Sequence, residues 1–461
     1  MSELLSPEDR ISRVETIVLD RPEVAGFQAY EYFRSLASDQ KSAFISGELP
    51  NLNLNYPGLS LEIVERLKGT MLDSLKALMP GEISPRSESL YTALEYRYSE
   101  LFMTDMARIM NDTTLTSEER SEAQEWFVRA NESLYGKPDK DVFSGLASNA
   151  ITEKTVIKTD DSAETAQVRS ELRELIGEID RSDFTPFVPS PELMTRIGEL
   201  VHERFNPIVE HIEADREYDV DGIVQALNIA LEKLDSRNTG WRVAKVPNSS
   251  ALAVSAHQKL VEVGENRPTI KGDALRGRVI HELGVHAGRS INAEKAGWLS
   301  AQYGQDGYLD FEESFATALE DAYQGKTKEH GQDYQLVAGL TYGLDNHLPR
   351  NFRETFEVMW RVKALGRVRD GQISDKDLDK ARSSAFLVCL RLFRGTTGQQ
   401  KGVVYLKDLA YFNGRESAWA VLQGINTQQD FDLLFAGKLD NSNEYHKAIA
   451  RDIVAVIKAS M

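Results

Sequence analysis

The stretch with the clearest chemical meaning is VIHELGVHAG, residues 279–288. Its His281, Glu282 and His286 differ by one residue in spacing from H-E-x-x-H, with which a helix presents two imidazoles to one zinc ion. On a regular α-helix, positions i and i+4 lie about 40° apart, whereas i and i+5 lie about 140° apart. The pattern therefore indicates either a metal site with unusual spacing or a helix that merely contains two histidines.

Three features favour the metal site. A one-residue π-bulge would return positions i and i+5 to one face, and such bulges are frequent at functional sites. Gly284 lies inside the motif, where it lowers the cost of an irregular backbone. Gly288 indicates a helix that ends near His286, so that this imidazole could swing in from a loosened last turn. We therefore predict that His281 and His286 bind a metal ion.

A catalytic zinc ion needs a third protein ligand and one open position. The segment 307–323, GYLDFEESFATALEDAY, is typical of a helix and carries Glu312 and Glu313 together. Glu313 is the better third ligand, because Phe315 follows it on the side expected to face the core. Glu312 is then expected to hydrogen-bond a ligand from outside the metal shell.

Composition restricts the classes of function. The 461 residues are 41% hydrophobic and 27% charged, and no apolar run approaches the ~20 residues of a membrane span. The net charge of −18 argues against binding to nucleic acid or to an anionic membrane. The polar N-terminus does not resemble a secretion signal, and the single cysteine, Cys389, excludes an internal disulfide. We expect a cytoplasmic protein without membrane or nucleic-acid partners.

The chain reads as two regions in a predominantly helical α+β protein. Residues 1–165 are expected to form a helical N-terminal region that ends in a polar linker at 149–165. Residues 166–461 are expected to form a zinc-peptidase catalytic domain, with a helix at 220–234. Segments within 241–264 alternate like short strands and predict a small β-sheet beside the two metal helices.

Four segments, HELGVH, FEESFA, RLFRGT and VVYLKDLAYFNG, resemble the microtubule-associated tyrosine carboxypeptidase family and its bacterial relatives. The resemblance implies one zinc ion on His281, His286 and Glu313, with Glu282 as the catalytic base. It also implies removal of a C-terminal residue from a protein or peptide. A chain of net charge −18 is poorly suited to the acidic tail of tubulin, so we do not expect tubulin itself as the substrate.

An enzyme that acts at a C-terminus needs a cation for the terminal carboxylate, and arginine serves best through its bidentate fork. Arg394 is the first candidate, because the turn expected at Gly395 can aim it into a cleft. Arg391 and Lys407 are further candidates for this role. A hydrogen-bond donor must also stabilise the oxyanion, and the candidates are Tyr308, Tyr342 and His347.

The sequence is also compatible with other functions. A zinc endopeptidase or dipeptidyl peptidase would need no carboxylate clamp, and a zinc-containing protein could bind peptide tails without cutting them. Glu282 argues against the last alternative, because a purely structural zinc site has no use for a base. The strand expected at 250–256 could pair with an extended substrate peptide, as edge strands do.

Overall fold

The computed structural model describes residues 6–33, 40–52, 54–56, 58–78, 85–235, 239–247 and 249–459. Most of these residues are helical, and the strands form one sheet of three and one of two. The predicted fold class, a predominantly helical α+β protein with a small sheet, is confirmed. Among the helices of these ranges, none combines the length and the apolar character needed to cross a bilayer.

Helices dominate the first part of the chain. They are α1 (Pro7–Asp20), α2 (Ala29–Tyr32), α3 (Lys41–Ser46), α4 (Leu61–Leu78), α5 (Pro85–Asn111), α6 (Ser117–Tyr135), α7 (Lys140–Ala150) and α8 (Ala163–Leu175). Local sequence explains the ends of α6. Thr116 and Glu119 form a reciprocal capping box at its start, and Gly136, at φ 80°, ends it.

The second part mixes helices with short strands. The helices are α9 (Pro191–Val209), α10 (Val220–Leu234), α11 (Gly272–Val279), α12 (Gly288–Lys295), α13 (Leu299–Tyr303), α14 (Tyr308–Gln324), α15 (Gln332–Tyr342), α16 (Phe352–Leu365), α17 (Asp375–Leu392), α18 (Ala410–Asn413), α19 (Arg415–Gln423), α20 (Gln428–Leu433) and α21 (Glu444–Ala459). A π-helix, Ile280–Ala287, joins α11 to α12. Short 3-10 helices lie at Thr152–Thr155 and Leu406–Leu409.

The strands are β1 (Glu217–Tyr218), β2 (Arg242–Val246), β3 (Leu252–Ser255), β4 (Leu260–Gly264) and β5 (Ile270–Lys271). In the larger sheet β4 lies in the centre, parallel to β2 and antiparallel to β3. The strands predicted within 241–264 are therefore confirmed. Val261 and Val263 of β4 are fully buried, and both β3 and β4 contact the π-helix. The sheet thus supports the backbone that carries the two histidines.

The segment predicted as a linker, 149–165, packs against the rest of the protein. Ile151 is fully buried, and Asp161 forms a buried ion pair with Arg169 at 2.7 Å. The backbone N–H of Ser162 also donates to the carbonyl of Gly371 at 2.8 Å. One hydrophobic core includes residues from both sides of position 165, so the two predicted regions share an interior. The domain boundary at 165/166 itself stays a prediction.

Candidate metal centre

A continuous helical segment carries both predicted histidine ligands. The π-helix Ile280–Ala287 follows α11 directly, and the N–H of Gly288 donates to the carbonyl of Leu283, five residues earlier. The predicted π geometry is confirmed. The prediction that the helix ends near His286 is wrong, because Gly288 adopts φ −61° and ψ −43° and continues the chain into α12. The π-helix, rather than a frayed end, therefore positions His286.

The π-helix brings the two imidazoles together. The ring centroids of His281 and His286 lie 4.9 Å apart with an interplanar angle of 77°. Both residues are buried. Because one extra residue in the helical turn offsets the five-residue spacing, the two Nε2 atoms face the same space.

Gly284 has a packing role that its sequence context did not reveal. A Cβ at this position would lie 2.6 Å from Cε1 of Phe205 in α9, a distance that real Cβ contacts do not reach. The absence of a side chain therefore lets α9 approach the π-helix closely. This close approach is a second reason for glycine inside the motif, beside the irregular backbone.

Helix α14 supplies the predicted third ligand. Oε2 of Glu313 lies 3.6 Å from Nε2 of His286 and 3.9 Å from Nε2 of His281. One potential ligand atom from each of these three residues lies within 4.8 Å of the others, and all three residues are buried. Within the described ranges, no other set of three histidine, cysteine or acidic residues meets this criterion.

The donor set fits a metal ion. Oε2 of Glu313 is fully buried, yet it has no hydrogen-bond partner among the residues that the structure describes. An unsatisfied buried acceptor of this kind costs about 1–3 kcal/mol or more, so it needs an explanation. Two imidazole nitrogens and one carboxylate oxygen around a common space form a ligand set typical of zinc. The three residues could therefore hold one metal ion.

Electrostatics in the protein favour a cation at this position. Burial alone would lower the pKa of His286, but the carboxylates of Glu313 and Glu312 outweigh burial and raise this pKa to about 9. Burial alone would raise the pKa of Glu313, but His286 and Lys407 hold it well below its usual value. The negative charge that stabilises a proton on His286 would equally stabilise a metal ion between the ligands.

Glu312 occupies the supporting position predicted for it. Its Oε1 atom lies 2.9 Å from Nδ1 of His286, and Arg289 forms a buried ion pair with its other oxygen. Arg289 in turn donates to the carbonyl of Leu439 at 2.6 Å and to Oδ1 of Asn441 at 2.8 Å. This chain of contacts fixes the imidazole of His286 so that its Nε2 atom points to the metal position.

Glu320 gives matching support to His281, a role that was not predicted from the sequence. Its Oε2 atom lies 3.7 Å from Nδ1 of His281, 3.3 Å from Arg278, and its Oε1 atom lies 2.7 Å from Lys328. Although burial opposes ionisation, these partners lower the pKa of Glu320. A signal was present, because Glu320 follows Glu313 by seven residues and so lies on the same face of α14.

Glu282, the predicted base, is buried beside the metal ligands without a fixed partner. Its side chain makes no hydrogen bond or ion pair within the described part of the chain. Burial lowers the pKa of Arg267, and the charge of Glu282 partly offsets that effect. The carboxylates of Glu312 and Glu320, in contrast, are both bound to cations. Glu282 is therefore the carboxylate of this cluster whose side chain has no hydrogen-bond or ion-pair partner among the described residues.

Lys407 is the predicted substrate-binding residue that the structure brings closest to the ligands. Its Nζ atom lies 3.8 Å from Oε1 of Glu313 and 4.8 Å from the ring centroid of Tyr30. The side chain is 10% exposed. Lys407 thus places a positive charge at the edge of the metal centre.

The two candidate arginines differ in their surroundings. Arg391 is committed to an ion pair with Asp408 at 2.5 Å, and its Nη2 atom donates to the hydroxyl of Tyr411 at 3.2 Å. Arg394 is partly buried and makes no hydrogen bond or ion pair within the described ranges, while its charge contributes to the lowered pKa of Asp408. Of the two, Arg394 has the available guanidinium.

The residues predicted to stabilise an oxyanion make no hydrogen bond or ion pair with the three ligands among the described residues. The hydroxyl of Tyr342 is buried, and burial and the charge of Glu132 in α6 raise its pKa. His347 is exposed, with Nδ1 3.1 Å from the carbonyl of Leu348. Tyr308 begins α14, where its ring contacts the guanidinium of Arg97. Residue type and local sequence do not specify the distance of a side chain to a metal, so these positions could not be placed from the sequence.

Comparisons of the chain with protein families, with curated proteins and with solved structures gave no match. The fold and the site define the protein only as a mostly helical chain with a small sheet and a buried group that could hold a metal ion. The resemblance to the tyrosine carboxypeptidase family stays an expectation from four short sequence segments.

Proposed function

We propose that the protein is a zinc-dependent peptidase that removes a C-terminal residue from a protein or peptide. The observation that carries the proposal is the buried group His281, His286 and Glu313. Among the described residues, Oε2 of Glu313 has no hydrogen-bond partner and the adjacent Glu282 has no ion pair. The resemblance of the HELGVH and FEESFA segments to a carboxypeptidase family supports the same reading.

Zinc is the proposed ion because its catalytic sites commonly use histidine and carboxylate ligands and leave one position open. The chemistry that such an ion supplies when bound is polarisation of the scissile carbonyl and a lower pKa for water. His281, His286 and Glu313 would hold it, while Glu312 and Glu320 keep the two imidazoles in orientation.

Glu282 is the proposed general base and acid. It takes a proton from the attacking water and delivers that proton to the nitrogen of the departing residue. The role requires a carboxylate close to the metal position that no cation holds, and Glu282 meets this requirement within the described part of the chain. Glu282 directly follows His281, one of the proposed ligands, in the sequence.

Arg394 and Lys407 are the groups that favour a carboxypeptidase over an endopeptidase. Arg394 offers a partly buried guanidinium without an ion pair among the described residues, and Lys407 adds a positive charge at the metal centre. A terminal carboxylate needs such cations, whereas an internal peptide bond does not. Strand β3 lies at an edge of its sheet and contacts the π-helix, where it could pair with the backbone of an extended substrate.

The test uses a peptide library with varied C-termini, incubated with the zinc-loaded protein and followed by mass spectrometry. Loss of one C-terminal residue with the wild type, and no loss with Glu282→Gln, is the expected result. Internal or N-terminal cuts would replace the carboxypeptidase with an endopeptidase or a dipeptidyl peptidase. Zinc binding without any cleavage would favour the non-catalytic protein that binds peptide tails.

A further inference from the structure

The N-terminal region reaches the metal centre through the short helix α2 (Ala29–Tyr32). The ring of Tyr30 lies beneath the Lys407 ammonium at 4.8 Å, and this same ammonium lies 3.8 Å from Oε1 of Glu313. Burial raises the pKa of Tyr30, and the nearby charges of Glu31, Glu262 and Glu313 act in the same direction. Tyr30 therefore belongs to the wall of the site, although it is remote in sequence.

The hydroxyl of Tyr30 has no partner among the described residues, whereas two neighbouring tyrosines contact arginines. Within the described ranges the Tyr30 hydroxyl has no hydrogen-bond partner. The Tyr308 ring packs against Arg97, and the Tyr411 hydroxyl accepts from Arg391 at 3.2 Å. Burial raises the pKa of Tyr30 well above its usual value, so the hydroxyl keeps its proton as a donor.

Helix α2 contacts the end of β3 and the turn that follows it. The hydroxyl of Ser255 donates to Oε1 of Glu31 at 3.1 Å, and Nε2 of His257 lies 3.7 Å from Oε2 of the same carboxylate. A Cβ on Gly26, just before the helix, would lie 2.5 Å from Cβ of His257, so the backbone there approaches the turn after β3 closely. Since β3 also contacts the π-helix, Tyr30 is held in a defined position relative to the metal ligands.

We propose that Tyr30 is a catalytic residue that donates a hydrogen bond to the carbonyl oxygen of the scissile peptide as this oxygen becomes negatively charged. The inference rests on the proposed peptidase function and adds a residue of the N-terminal region to that reaction. A preorganised neutral donor at such an oxygen acts mainly in the transition state, so its removal lowers kcat more than it changes KM.

The experiment compares Tyr30→Phe with Tyr32→Phe in the zinc-loaded full chain. Tyr32 lies two residues away in α2, and its ring stacks on Phe27 at 5.2 Å, so it serves as a matched control. We expect Tyr30→Phe to lower kcat about 100-fold with KM changed less than about threefold, and Tyr32→Phe to retain wild-type kinetics.

Two measurements without turnover accompany the kinetics. Calorimetry with a phosphinic analogue of a cleaved peptide should show affinity about 100-fold weaker for Tyr30→Phe, because the phosphinate mimics the tetrahedral oxyanion. Competition with a chelator should show unchanged zinc affinity, which separates a donor role from a role in holding the metal.

The outcomes distinguish the two proposals. Wild-type kinetics and unchanged phosphinate affinity in Tyr30→Phe would overturn the role of Tyr30 and leave the peptidase intact. A rise in KM alone, or a loss of zinc, would also overturn it, because either change assigns Tyr30 to substrate affinity or to the metal shell. A wild type that holds zinc, cleaves no peptide and does not bind the phosphinate would refute the peptidase and the donor role together.

Discussion

At the scale of single residues, the metal centre depends on carboxylates with different tasks. Glu313 faces the imidazoles directly, Glu312 and Glu320 each pair with one imidazole and with cations, and Glu282 has no such partner among the described residues. These differences follow from the cations in reach, since Arg289 holds Glu312 in place. A neutral but isosteric substitution at each position should therefore have a different consequence.

Glu312→Gln should weaken zinc binding about 10- to 100-fold, because Nδ1 of His286 loses its charged partner at 2.9 Å. The measurement is competition with a chelator of known affinity at constant pH. Glu416→Gln, at an exposed position in α19, is the control and should bind zinc like the wild type. An unchanged zinc affinity in Glu312→Gln would show that Glu312 does not orient the ligand.

Arg394→Ala should lower kcat/KM for C-terminal trimming about 10- to 100-fold, because the terminal carboxylate loses a charge-assisted hydrogen bond. Zinc content should stay at one ion per chain, since Arg394 has no contact with the ligands among the described residues. The assay uses a free peptide and its C-terminal amide with both proteins, and Arg451→Ala in α21 is the exposed control. Equal loss on both substrates would argue against a carboxylate clamp.

At the scale of secondary-structure elements, the site is a meeting of two helices stabilised by a third and by a sheet. The π-helix carries His281 and His286, and α14 carries three of the four functional carboxylates. Helix α9 packs against both elements, and the ring of its Phe205 lies against the backbone of Gly284. The irregular turn is therefore held from outside, because a π-helix is rarely stable by its own hydrogen bonds.

Gly284→Ala should destabilise the protein by about 1–3 kcal/mol, because the new Cβ would lie 2.6 Å from the Phe205 ring and force it to move. Gly69→Ala in α4 is the matched control, since a Cβ at Gly69 meets nothing within 4 Å. That control should be neutral or slightly stabilising, as alanine favours a helix over glycine. Chemical denaturation of both variants measures the difference. Equal stability of the two would contradict close packing of α9 on the π-helix.

At the scale of the whole molecule, the N-terminal region forms part of the same interior as the metal centre. Arg97 of α5 pairs with Glu100 at 2.6 Å and donates to the carbonyl of Tyr303 at 2.6 Å and to that of Ala25 at 3.2 Å. The charged side chains of this pair are almost completely buried, so they depend on one another. The ring of Tyr30 contacts Lys407, whose ammonium lies 3.8 Å from Oε1 of Glu313.

The zinc-free full chain should unfold in one calorimetric transition, because one hydrophobic core spans the predicted boundary at 165/166. A fragment of residues 166–461 should lack that transition and should bind zinc poorly, since it loses the helices that cover its core and the Arg97 contacts. Differential scanning calorimetry and zinc titration of both proteins test this. Two separate transitions, or a stable fragment that binds zinc, would instead establish 166–461 as an independent domain.

The sequence alone was sufficient for features that depend on local spacing. The spacing of His281 and His286 at i and i+5 predicted a shared metal site by a π-bulge or by a loosened last turn, and the structure has the π-helix. The different tasks of Glu312 and Glu313 were predicted from their adjacent positions on one helix. The helix at 220–234 and the strands within 241–264 follow from apolar periodicity and turn residues, and the structure has them at these positions. Such patterns act over a few residues, so a single chain displays them directly.

Tertiary structure decided which distant residues share the site. Tyr30 and Lys407 lie far from the ligands in sequence, and only the folded chain places the Lys407 ammonium between the Tyr30 ring and Glu313. It also corrected the role of Gly288, which continues the helix because its neighbours keep it in the right-handed conformation. Contacts between remote segments arise from the packing of the whole core, and local composition carries no record of that packing.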